Sequence, residues 1–198
     1  MSPSKQLSEQ DRGSPMKAIG YLDSLNIDQQ NSLIDIDIPV PTPTARDLLV
    51  KIEAISVNPV DTKIRANVAA SGDEHKVLGW DAVGEVIETG ERTQFYKKGD
   101  KVWYAGDLTR PGTNAEYHLV DERIVGHKPA SVSDAEAAAL PLTAITAWEL
   151  LFDRLALQPL TEEKTKTPAS VENRILIIGA AGGVGSILVQ LVAQLTDA

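Results

Sequence analysis

Three short clusters in this 198-residue chain combine side chains with chemical reach. The first is Asn58-Pro59-Val60-Asp61-Thr62-Lys63-Ile64-Arg65, which packs an amide, a carboxylate, an ammonium and a guanidinium into one turn or short helix. Such groups can orient a carbonyl or pass a proton to a developing enolate. The same residues also read as a solvated turn, with Asp61 and Arg65 as an i,i+4 helix pair worth only ~0.3–0.5 kcal/mol. The second cluster is Gly79-Trp80-Asp81-Ala82-Val83-Gly84. Trp80 reads either as a core aromatic or as the wall of a flat ligand pocket. Asp81 reads either as a base or as the partner of Lys63 or Arg65.

The third cluster is a glycine turn. The apolar, β-type run Ile175–Ile178 leads through Gly179, Gly182, Gly183 and Gly185 into an apolar run of helical length. A strand, a glycine turn and a helix in this order open a dinucleotide-binding unit, in which backbone N–H groups and a helix N-terminus hold a pyrophosphate. Aligned to G-x-G-x-x-G, residues Ala180–Gly185 place alanine in the first glycine slot. Gly182 then lets the backbone approach a phosphate, and Gly185 lets the helix pack closely on the strand. An ordinary βα turn with glycines for packing is the alternative.

These clusters need a scaffold, and the hydrophobic pattern predicts one. Met1–Pro15 is polar and aperiodic and reads as a disordered tail. Strands are predicted at Lys17–Tyr21, at Ile34, Ile36 and Ile38 alternating with Asp35 and Asp37, and at Leu48–Val57. Further strands are expected at Asp81–Thr89, Lys101–Ala105, Ala115–Val120 and Arg123–His127. Gly84 inside its strand suggests a bulge or a close backbone approach. Many short strands with few helices predict a compact β-barrel-type domain over 16–130, in a mixed α/β chain. Beyond Pro129 the character changes. Ser133 and Glu136 form a capping box ahead of an alanine-rich helix. Ile145, Trp148, Phe152 and Leu155 recur at helical spacing in a second one, and the polar stretch Gln158–Asn173 reads as an exposed loop.

Composition narrows the function classes. The formal net charge is −9 with no basic run, which argues against nucleic acid and against an anionic membrane surface. No apolar stretch is long enough to span a bilayer and no signal core opens the chain, so a cytoplasmic protein is expected. There is no cysteine, and His75, His118 and His127 are the only histidines, with no close pair. Neither a closed tetrahedral zinc site nor a zincin helix can be written from these residues, so no metal is expected.

The order of the β domain, NPVDTKIR, GWDAVGEV, KKGDKV, GTNAEYHLV, AAALPLTAITAW and ILIIGAAGGVGS resembles the medium-chain dehydrogenase/reductase superfamily. Within it the likeness is to the quinone oxidoreductase-like branch often labelled zinc-type alcohol dehydrogenase-like, and it covers Met16 to Ala198. The resemblance implies a GroES-like catalytic domain over 16–130. Connecting helices and a Rossmann-like nucleotide-binding domain, incomplete at Ala198, are implied for 131–198. It further implies NADPH (NADH being the alternative), reduction of a quinone or an α,β-unsaturated carbonyl, and a homodimer. Ala181, Gly182, Gly183 and Val184 match the pyrophosphate turn, and Thr143 is similar to a threonine near the nicotinamide. Asn58 and Asp61 match polar residues on the active-site floor.

The departures are informative. Zinc alcohol dehydrogenases carry a cysteine ligand in the turn matching Asn58–Asp61, and Gly-His-Glu where this chain has Gly79-Trp80-Asp81. The resemblance therefore implies a zinc-independent reductase, with Asn58, Asp61, Lys63 and Trp80 as the catalytic set. Related quinone reductases often have tyrosine at the Lys63 position. Lys63 can replace it as a proton donor only where burial favours the neutral amine. Two other readings stand beside this one: a non-catalytic truncated product or interaction module, and a zinc alcohol dehydrogenase.

Overall fold

The computed structural model describes residues 15–72, 74–160 and 174–196. Residues 1–14 of the tail predicted for Met1–Pro15 and most of the loop predicted for Gln158–Asn173 lie outside them, whereas Pro15 opens the first strand. The chain divides into two compact units, Met1–Pro141 and Leu142–Ala198.

In the first unit, β1 (Pro15–Tyr21) lies between β2 (Ile34–Pro39) and β4 (Lys76–Val77) in a three-stranded antiparallel sheet. The second sheet, of five antiparallel strands, has the order β7-β3-β5-β6-β8. These strands are β3 (Asp47–Ser56), β5 (Asp81–Thr89), β6 (Lys101–Ala105), β7 (Tyr117–Asp121) and β8 (Val125–His127). A single bridge, Ala18 to Ala115, ties the sheets together, and Glu116 N–H donates to the Lys17 carbonyl at 3.0 Å. The alternation of β2 sends Ile36 into a small core with Ala18 and Val77. The larger core joins Leu48, Val50, Ala82, Val86, Val102, Tyr104 and Val120, which alternate onto one face of their strands.

Gly84 lies opposite Ile52 in a close approach of β5 to β3. A Cβ there would lie 2.2 Å from the Lys51 carbonyl oxygen, and the register shifts nearby, between Ile52 and Ala54. The short helix α2 (Asp134–Ala138), capped by Ser133 and Glu136, places Ala137 and Ala138 against Val83. That contact carries the first unit on to Pro141.

A histidine is buried beside the larger core. His118 Nε2 lies 2.9 Å from the Pro111 carbonyl oxygen, which can only accept, so Nε2 carries the hydrogen. Nδ1 then accepts from the Tyr104 hydroxyl at 3.0 Å, and the two rings stack. Burial pulls the His118 pKa down to about 4, against the opposing bond to Pro111. The folded state therefore binds fewer protons than the unfolded chain between about pH 4 and about pH 6.5, and stability falls as pH falls through that window. The shift corresponds to about 3 kcal/mol. Urea midpoints measured across that window should drop more steeply in the wild type than in His118→Gln. Parallel profiles for the two proteins would reject this assignment.

In the second unit, α3 (Pro141–Trp148), which starts at the division, continues as a π-helical turn over Glu149–Arg154, and α4 (Gly183–Leu195) follows the glycine turn. The residues Ile145, Trp148, Phe152 and Leu155, which recur at helical spacing, lie on α3 and this π turn or just after it. Ile145, Trp148 and Leu155 are exposed, while Ala147 and Leu151 are buried. The π turn is the reason for part of this: Leu155 N–H donates to the carbonyl of Leu150, five residues back, so the apolar period slips by one residue.

Candidate active site

Strand pairing brings the first two clusters together. Ser56, the last residue of β3, lies opposite Asp81, the first of β5, so the turn after β3 meets the turn before β5. Asn58 then caps α1 (Pro59–Asn67), whose first residue is a proline that needs no hydrogen-bond partner. Asp61 accepts from the Asn58 backbone N–H at 2.7 Å, and the Asn58 side-chain Nδ2 donates to Asp81 Oδ2 at 2.8 Å. All three residues are buried.

Burial pushes the Asp61 carboxyl up, opposed by the N–H groups of Asn58 and Gly79. Its second oxygen, Oδ1, is buried and finds no hydrogen-bonding partner at bonding distance. Gly79 holds φ +102°, and a Cβ there would lie 2.5 Å from both Thr113 Oγ1 and Asn114 Oδ1. Glycine is thus required for the turn that delivers Trp80 and Asp81.

Several expectations change here. Asp61 is a buried helix cap rather than half of an exposed pair with Arg65, whose Nη1 donates to the Leu25 carbonyl at 2.7 Å. Asp81 partners Asn58 rather than Lys63 or Arg65. Trp80 is 1% exposed, with its indole N–H on the Asp107 carbonyl, so it supports the floor from inside and presents no open face. Lys63 is exposed on α1, and the burial required of a proton-donating lysine is absent. The partnership of Asp81 with Asn58 was not legible beforehand, because the two are 23 residues apart and only the β3–β5 register joins them.

The second unit holds the glycine turn. Gly179 adopts φ +75°, which favours glycine, and its carbonyl accepts from Gly182 N–H at 3.0 Å. Gly182 then caps α4 and has no side chain of its own to accept from the first-turn N–H groups. Gly185 is buried against the turn, where a Cβ would lie 2.2 Å from the Gly179 carbonyl oxygen. Thr143 packs on the same place, its Cγ2 lying 3.3 Å from where a Cβ of Gly183 would be. Ala181 lies in the turn and Val184 in the first turn of α4. The predicted strand Ile175–Ile178 does not form: residues 174–177 pair with no strand, and Leu176 and Ile178 are 86% and 89% exposed. A parallel strand takes its hydrogen bonds from neighbours, and the described residues offer none beside this run.

Among the described residues, no group of three or more His, Asp or Glu side chains is placed to hold a metal. The donor set does not fit zinc. Trp80 has no lone pair to give, and both nitrogens of His118 are already bonded. No helix among the described residues is long and apolar enough to cross a membrane.

Residues 44–130 match the alcohol dehydrogenase GroES-like domain. A zinc-type alcohol dehydrogenase-like protein of Staphylococcus epidermidis is 40% identical over 177 residues, which is 89% of this chain and 50% of that protein. The crystal structure of a proposed zinc-dependent alcohol dehydrogenase protein from Rhizobium etli CFN 42 superposes with a TM-score of 0.80 at 50% identity, covering 92% of this chain and 51% of that one. The quinone oxidoreductase from Coxiella burnetii gives 0.71 at 28% identity, covering 91% and 54%. Over most of its length the chain is similar to zinc-type alcohol dehydrogenase-like proteins and to a quinone oxidoreductase, and it spans about half the length of the curated relatives it matches.

Proposed function

We propose that this chain carries the catalytic floor and the cofactor turn of a zinc-independent, nicotinamide-dependent reductase acting on quinones or α,β-unsaturated carbonyls. The observation that carries the reading is the glycine turn. Its left-handed Gly179, its helix N-terminus without a side-chain cap and its contact with Thr143 fit a pyrophosphate held by backbone N–H groups. Residues 181–185 would hold the phosphates and Thr143 would lie toward the nicotinamide, as the first βα unit of a Rossmann-like domain. NADPH is the favoured form, and bound reduced nicotinamide supplies a hydride to the electrophilic carbon.

The chain's own residues do the positioning. The Asn58 carboxamide donates to the substrate oxygen as it gains negative charge, and Lys63, exposed nearby on α1, offers a cation to the same oxygen. Asp61 holds the Asn58 backbone, and Trp80 stiffens the turn below Asp81. The relatives named quinone oxidoreductase and alcohol dehydrogenase support an oxidoreductase in general, and Trp80 and Asp81, standing where zinc alcohol dehydrogenases carry His and Glu, favour the quinone side.

NADPH fluorescence titration of the chain, followed by NADPH oxidation with a panel of quinones and enones, tests the reading. Saturable binding and a rate above background with at least one panel member are expected. Failure of both would favour a non-catalytic interaction module instead, a reading that the exposed apolar residues Leu176 and Ile178 already suggest.

A further inference from the structure

Asn58 is gripped from two sides by carboxylates that arrive along different routes. Asp61 reaches its backbone N–H from within the same helix, and Asp81 reaches its side chain across the β3–β5 pair. Asp81 is itself firmly seated. It is fully buried, its carbonyl accepts from Thr113 Oγ1 at 3.4 Å, and the left-handed Gly79 just before it tolerates no side chain. The two ends of a primary amide are nearly equal in shape, so the hydrogen-bonding partner decides which end points where. Here it is the NH2 end that faces the carboxyl, Nδ2 donating to Asp81 Oδ2.

We infer that Asp81 is a positioning residue: it fixes the Asn58 carboxamide with its NH2 end toward β5 and so sets the direction of the one remaining N–H. The catalytic consequence rests on the reading of Asn58 as donor to the substrate oxygen. Without Asp81 the amide can turn over and present its carbonyl oxygen to that site, which would repel a developing oxyanion.

NMR of the isotopically labelled full chain tests the grip without any turnover. One Asn58 side-chain proton should lie downfield of the other and exchange slowly with solvent. Asp81→Leu should bring the pair together, and Asp81→Asn, whose carbonyl can still accept, should keep most of the separation. An Asn58 pair that is undifferentiated in the wild type, or unchanged in Asp81→Leu, overturns the inference.

Quinone-dependent NADPH oxidation gives the second measurement. Asp81→Leu should lower kcat about tenfold with the cofactor KM unchanged, Asp81→Asn should recover most of it, and Asp81→Leu should add nothing once Asn58 is alanine. Equal losses with and without Asn58 would mark Asp81 as merely structural and overturn the positioning role. If the NMR signature is present and NADPH oxidation is not, the grip stands and the reductase reading falls.

Discussion

Glu122→Ala is expected to cost the β domain about 3–5 kcal/mol, because it removes the centre of a buried charge clamp. Glu122 is 1% exposed and opens a short 3-10 turn after β7. One of its carboxylate oxygens accepts from Arg46 Nη1 at 2.6 Å, and the other accepts from the backbone N–H groups of Gln94 and Phe95 at 2.8 Å each. Alanine would leave two amides and a partly buried guanidinium without acceptors, together with a cavity. Burial alone would push the Glu122 carboxyl up. The Phe95 and Gln94 N–H groups and Arg46 outweigh it and hold the group below the ordinary glutamate range. A lowered folded pKa means that this stabilisation is present above the unfolded glutamate pKa and is lost as pH falls through the folded one. Urea unfolding near neutral pH should show the full loss for Glu122→Ala and a smaller one for Glu122→Gln, which keeps an acceptor oxygen. A change within about 0.5 kcal/mol for the alanine variant would mean that the clamp is not a stabilising contact.

The second large effect is expected at the glycine turn. Gly185→Ala would drive a methyl to 2.2 Å from the Gly179 carbonyl oxygen and 2.7 Å from Ala180 Cα. Both are backbone atoms of the turn and neither can swing aside, so α4 must lift off. NADPH affinity should fall at least about tenfold, with a visible loss of helical signal. Gly182→Ala provides the contrast. Its Cβ would stand 3.3 Å from the Gly179 carbonyl oxygen, close but tolerable, so the turn should survive. If Gly182 faces a phosphate as its motif position predicts, that variant should lose affinity while keeping its circular dichroism. Wild-type NADPH affinity in Gly185→Ala would remove the turn from the cofactor site.

Much of the fold was legible from local pattern. The alternating isoleucines of β2, the bounds of β5 and β6 and the Ser133–Glu136 cap all appear where the residues placed them. Each depends on neighbours only a few residues away, through side-chain alternation or a cap. The strand expected at Ile175–Ile178 failed for the converse reason: an apolar run states that it can be covered, not that a partner strand lies beside it. The π turn after α3 was not legible either, because its five-residue hydrogen bond shifts the helical period and no sequence window signals that slip.

The candidate site divides along the same line. By itself the sequence determined that Asn58 and Asp61 follow one strand in a turn or short helix, that Trp80 and Asp81 open another strand, and that Gly179–Gly185 leads into a helix. Only the tertiary structure decided that Asp81 grips the Asn58 carboxamide, that Trp80 faces inward, that Lys63 stays at the surface and that His118 is held neutral. The physical reason is the range of the forces involved. Turns and caps form between residues close in the chain, whereas burial and hydrogen-bond partnership depend on which distant strands pair, here β3 with β5 and β3 with β7.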